Sequence, residues 1–107
     1  MNDFIEIRDI LRGFAEERDW EQFHTPENLA KSVVIEAGEL LECFQWDNTY
    51  DTAALADEIA DVMNYCIMLA DKTGIDMKEN LLRKIKHNGE KYPVEKAKGS
   101  SAKYDRL

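Results

Sequence analysis

Apolar residues recur at three- and four-residue spacing along most of the chain, and about four helices follow from that period. Phe4, Ile7, Leu11 and Phe14 form the first stripe, with Asp3 the expected cap and an end near Arg18. Asp19 to His24 reads as an aromatic loop. Thr25 followed by Pro26 signals a second start, because Thr accepts from free amides and Pro is preorganised at the first helical position. That helix should reach about Phe44. After a turn-prone stretch from Asp47 to Asp51, a third helix carries Leu55, Ile59, Val62, Met63, Cys66, Ile67 and Leu69 over more than one face, which suits a central position or a subunit interface. Gly74 is its expected left-handed cap. Asp76 with Glu79 has capping-box spacing and opens a fourth helix, expected to stop at Asn88-Gly89. The expected fold is all-α, an antiparallel bundle over residues 1–94, followed by a polar tail over 95–107 with few apolar anchors.

Composition narrows the classes of function. The 107 residues hold 44% apolar and 34% charged side chains, enough for one small core, with self-association helping to cover what remains. The formal charge of −8, from 22 acidic and 14 basic residues, repels nucleic acid and anionic lipid. No nucleic-acid or membrane partner is expected. The most apolar stretch, Ala53 to Ala70, is broken by Asp57, Glu58 and Asp61 and is too charged to span a bilayer. No signal-peptide pattern opens the chain, and Cys43 and Cys66 form neither a metal nor a disulfide pattern, so a reducing cytoplasmic setting is expected.

Acidic pairs supply the candidate chemistry. Glu36 and Glu39 are three apart in the second helix, so they leave it roughly 60° apart and about 4.5 Å along the axis. Glu58 and Asp61 repeat the spacing in the third. Such pairs are ordinarily solvated surface. Here Glu36 falls on the stripe of Leu29, Val33 and Leu40, while Glu58 and Asp61 interleave with Ile59 and Val62. Carboxylates among apolar neighbours are costly unless paired or bound to cations. Oxygen-only donors favour magnesium or manganese over zinc or copper. A di-iron bundle would need Glu-x-x-His on two helices, and neither pair has it.

At these residues the chain resembles the MazG-like all-alpha nucleoside triphosphate pyrophosphohydrolases, in particular the dCTP pyrophosphatase branch. The family's E-x-x-E and E-x-x-D elements read Glu36-Ala-Gly-Glu39 and Glu58-Ile-Ala-Asp61. AEERDWEQFHTPENLA upstream, ELLECFQW after the first pair, DVMNY around the second, and KYP and GSSAKY downstream stand in the expected order, from about Phe14 to Tyr104. The resemblance implies a bundle assembling as a homodimer or homotetramer, magnesium binding, and hydrolysis of NTP or dNTP to monophosphate and pyrophosphate as house-cleaning of the nucleotide pool.

It also implies site residues. Glu36, Glu39, Glu58 and Asp61 would hold the metal and carry catalysis; apart from the resemblance, the chemistry calls for one glutamate to orient the attacking water, and Glu39 is the candidate. Trp20, Trp46, Tyr65 and His24 would bound the base and sugar. Lys84, Asn88, Lys91 and Tyr92, with Lys31 and Lys103, are the candidates for the phosphates. One departure concerns the base: relatives preferring cytosine can use a histidine in the first helix, where this chain has Leu11. The competing class is a helical module that senses nucleotides or docks a partner without catalysis.

Overall fold

Side-chain caps open each of the four long helices close to where local signals place them. The computed structural model describes residues 2–107. Its helices are α1 (Asp3–Glu17), α2 (Pro26–Glu42), α3 (Thr52–Thr73), α4 (Met77–Lys91) and the single-turn α5 (Val94–Ala97), with no strand among the described residues. The α1 cap is Asn2 rather than Asp3: its carboxamide oxygen accepts from the Ile5 amide at 3.0 Å. Asp3 instead sits in the first turn, where negative charge suits the helix dipole. Thr25 accepts from the Asn28 amide at 3.2 Å, Asp51 from Ala54 at 3.3 Å and Asp76 from Glu79 at 2.7 Å.

The ends of the helices are less uniform. α3 closes as expected, with Gly74 at φ 71° and the Ile75 amide donating to the Ala70 carbonyl at 2.9 Å. α1 closes through the same motif with Asp19 in the glycine position, at φ 54°. The Trp20 amide donates to Ala15 O at 3.0 Å and the Asp19 amide to Glu16 O at 3.1 Å. α4 runs through Asn88-Gly89 and ends at Lys91. Pro93 ends it, because the proline ring drives the preceding residue out of the helical region, and Tyr92 lies at φ −122°, ψ 65°.

Two compact units divide the chain, one ending at Ile75 and one from Asp76 to Leu107. In the first, α3 packs along α2 and against α1, around Ala15, Leu29, Ile67 and Ala70. Leu29 is 1% exposed. The outer side of α2 leaves Val34, Ile35 and Leu41 open, at 71%, 61% and 72% exposure. In the second unit Tyr92 meets Tyr104 edge-on at 6.2 Å, and the Lys91 ammonium lies 4.8 Å from the Tyr104 ring centre. The segment after Pro93 therefore has local structure of its own. No described helix is long and apolar enough to cross a membrane.

A bidentate pair ties α1 to α3. Arg12 Nε donates to Asp71 Oδ2 at 2.8 Å, and Arg12 Nη2 donates to Asp71 Oδ1. The Arg12 hydrogen bond holds the Asp71 carboxyl below its ordinary range, against a smaller opposing effect of burial. A depressed folded-state pKa contributes stability above the unfolded pKa that is lost as pH falls through the folded one. Asp71→Asn should therefore melt lower than wild type near neutral pH, with the gap closing as the solution is acidified. Thermal melts of both proteins across that range test this, and a gap independent of pH contradicts it.

Candidate metal centre and adjoining pocket

Glu36 comes from α2, and Glu58 and Asp61 from consecutive turns of α3. Each offers a carboxylate oxygen, and the three oxygens lie within 4.8 Å of one another. Packing of α3 along α2 thus brings the two acidic elements together. Glu36 and Glu58 are half-buried, and one oxygen of each, Oε2, is shielded from solvent without accepting a hydrogen bond. An unsatisfied, shielded carboxylate oxygen is expensive.

The electrostatics agree with that geometry. Burial is the largest cause raising the Glu36 carboxyl above its ordinary pKa, followed by the adjacent Glu39 carboxyl, then Asp61 and Glu58. Glu58 is raised by burial first, then by Glu39 and Asp61. Both groups are short of positive charge. A hard divalent cation fits this all-oxygen donor set and would satisfy the orphaned oxygens. No histidine joins the group among the described residues, as a di-iron arrangement would require. Glu39 stands outside the converging trio, yet close enough to raise both glutamates.

Beside the trio lies a cavity of about 280 Å³, sharing Asp61 with it. Leu11 and Phe14 of α1, Trp20 and His24 of the following turns, and Asn64 and Tyr65 of α3 line it. The α1 closing motif explains the position of Trp20. Residues at its two ends ordinarily make an apolar contact, and here Trp20 meets Phe14 edge-on at 5.8 Å. Arg18 covers Phe14, its guanidinium carbon 3.6 Å from the ring centre. Trp20 also meets the His24 ring at 6.4 Å.

Trp20, His24 and Tyr65 therefore come together, while Trp46 does not join them. It sits in the connection between α2 and α3 and is 88% exposed. Lys31 lies on the exposed surface of α2, within 3.8 Å of Glu27 one turn earlier. Lys84, Asn88, Lys91, Tyr92 and Lys103 all belong to the second unit. Sequence reasoning did not single out Phe14 or Asn64 for this pocket. Asn64 was signalled all the same, as a polar residue three positions after Asp61 on the most apolar helix.

An all-helical unit with a carboxylate cluster able to hold a cation, beside a small aromatic pocket, defines the class. The MazG-like family profile matches residues 31–107. The chain is 39% identical to mouse dCTP pyrophosphatase 1 and 40% identical to the human protein of that name, with 95% of the chain aligned in each case. It spans 66% of the length of these curated relatives. The crystal structure of a pyrophosphatase from Archaeoglobus fulgidus superposes with a TM-score of 0.79 at 40% identity, covering 87% of this chain and 94% of that one. The chain belongs to the MazG-like family.

Proposed function

We propose that this chain is a magnesium-dependent nucleoside triphosphate pyrophosphohydrolase that releases monophosphate and pyrophosphate, with dCTP or a modified dCTP as its preferred substrate. The observation that carries the reading is the convergence of Glu36, Glu58 and Asp61, two of them with shielded oxygens that a cation would satisfy, beside a base-sized aromatic pocket. The names of the similar proteins, dCTP pyrophosphatase 1 and a pyrophosphatase, support the reaction class.

Magnesium bound at this centre would neutralise the triphosphate, act as a Lewis acid toward the α-phosphoryl group and activate water. Glu36, Glu58 and Asp61 would hold it. Glu39, beside the trio but outside it, orients the attacking water toward the α-phosphorus and takes its proton. The bond to the β-phosphate bridging oxygen breaks, and pyrophosphate leaves. Phe14 and Trp20 offer ring surface to the base, and stacking of this kind is worth about 1 to 3 kcal/mol per base. Lys84, Asn88, Lys91 and Tyr92, with Lys103, are the phosphate-binding candidates that the family resemblance suggests, and Lys31 is a further basic candidate. The exposed Val34, Ile35 and Leu41 support self-association through α2, since apolar side chains clustered on a surface commonly mark an interface.

A panel of canonical and modified NTPs and dNTPs, incubated with the protein with and without magnesium, tests the reading when both products are identified. Monophosphate with pyrophosphate, formed only with the metal, is the expected result. Orthophosphate release, or no turnover of any nucleotide, overturns it.

A further inference from the structure

We infer that Asn64 reads the base, its side-chain carbonyl accepting from the exocyclic amino group of cytosine and its amide donating to the neighbouring ring nitrogen. This assignment rests on the nucleotide reading above and adds what that reading lacks, a source of base selectivity. The metal centre meets phosphate, which all nucleoside triphosphates share. Phe14 and Trp20 line the pocket with aromatic rings, and stacking tolerates any base because every base has a π-face. Selectivity must come from polar groups in the pocket.

Few such groups line it. Asp61 belongs to the carboxylate trio, leaving the Trp20 indole N–H, His24, Asn64 and the Tyr65 hydroxyl. Of these only Asn64 carries a donor and an acceptor side by side in one plane. A nucleobase edge presents such a pair, and asparagine pairs with adenine through an amino group and an adjacent ring nitrogen in the same manner. Asn64 is half-buried, yet its side-chain amide makes no hydrogen bond to any other described residue, unlike Asn28 and Asn80, whose amides are spent on backbone carbonyls. It is available to a ligand.

Its position on α3 suits the role. Asp61, Asn64, Tyr65 and Met68 share one face of the helix and line the same cavity. Asn64 lies about 4.5 Å along the axis from Asp61. The helix that holds the metal at one turn therefore presents the base-reading amide at the next, in the order of triphosphate and base within one nucleotide.

The test compares dCTP with dUTP, which differ only in the edge that Asn64 would read, using wild type, Asn64→Leu and Asn64→Ala. Far-ultraviolet circular dichroism selects folded variants. Wild type should favour dCTP, and either variant should lower the dCTP to dUTP ratio of kcat/KM by roughly 5- to 150-fold, mainly through KM. An unchanged ratio in a folded variant, or a wild type indifferent to the two nucleotides, overturns the assignment while leaving the pyrophosphohydrolase reading intact. Failure of wild type to hydrolyse any nucleotide overturns that reading, and the assignment with it.

Discussion

Glu58→Gln should lower turnover by roughly 10²- to 10³-fold, the scale on which removing one preorganised electrostatic partner is felt, and should erase the rise in melting temperature that magnesium gives wild type. Its metal-free form should melt higher than metal-free wild type. The reason lies in the shielded Glu58 oxygen, which has no donor, and in the Glu39 and Asp61 carboxyls that crowd it. Gln keeps the shape, removes one negative charge and supplies an amide that can donate to either neighbour. A protein that lost activity but kept a wild-type response to magnesium would show that Glu58 does not hold the ion. Melting curves with and without magnesium, together with initial rates, give both readouts.

Glu39→Gln should separate chemistry from metal binding. Glu39 stands beside the trio without being part of it, so its loss should leave the magnesium-induced stabilisation close to wild type and weaken nucleotide binding only modestly. Turnover should fall by about 10²- to 10⁴-fold, the range of a positioned general base. A near-wild-type rate would remove Glu39 from the mechanism. Loss of the magnesium response would make it a ligand on a par with Glu58.

The contrast between these variants marks where sequence reasoning stops. Helix starts at Thr25 and Asp76 were legible because a cap is local chemistry, written in one residue and the three that follow, whereas Asp51 was read only as the end of a turn-prone connection. The Asp19 closure was not, since a left-handed residue is announced by Gly and Asp adopts that conformation without such a flag. Asn88-Gly89 misled in the other direction. Gly inside a helix costs about 1 kcal/mol, which a helix can absorb, whereas Pro93 removes the helical option from Tyr92 altogether.

The candidate site divides similarly. Spacing put Glu36 with Glu39, and Glu58 with Asp61, on common helix faces. Which oxygens converge depends on how α3 lies along α2, and that is a matter of packing rather than period. The direction of Trp46 was equally beyond reach, because a side chain in a connection has no helical face to fix it. Trp20 was better determined than its loop position suggested: the closing motif of α1 delivers it onto Phe14, in the wall of the pocket.

Hydrolysis in water labelled with oxygen-18 shows which phosphorus the water attacks. The experiment runs dCTP with the wild-type chain and magnesium, then locates the label by mass spectrometry of the separated products. Metal-dependent attack at the α-phosphorus puts one labelled oxygen in the monophosphate and none in pyrophosphate, with no reaction when the metal is chelated. Label in pyrophosphate or orthophosphate, or turnover that persists under chelation, would contradict it.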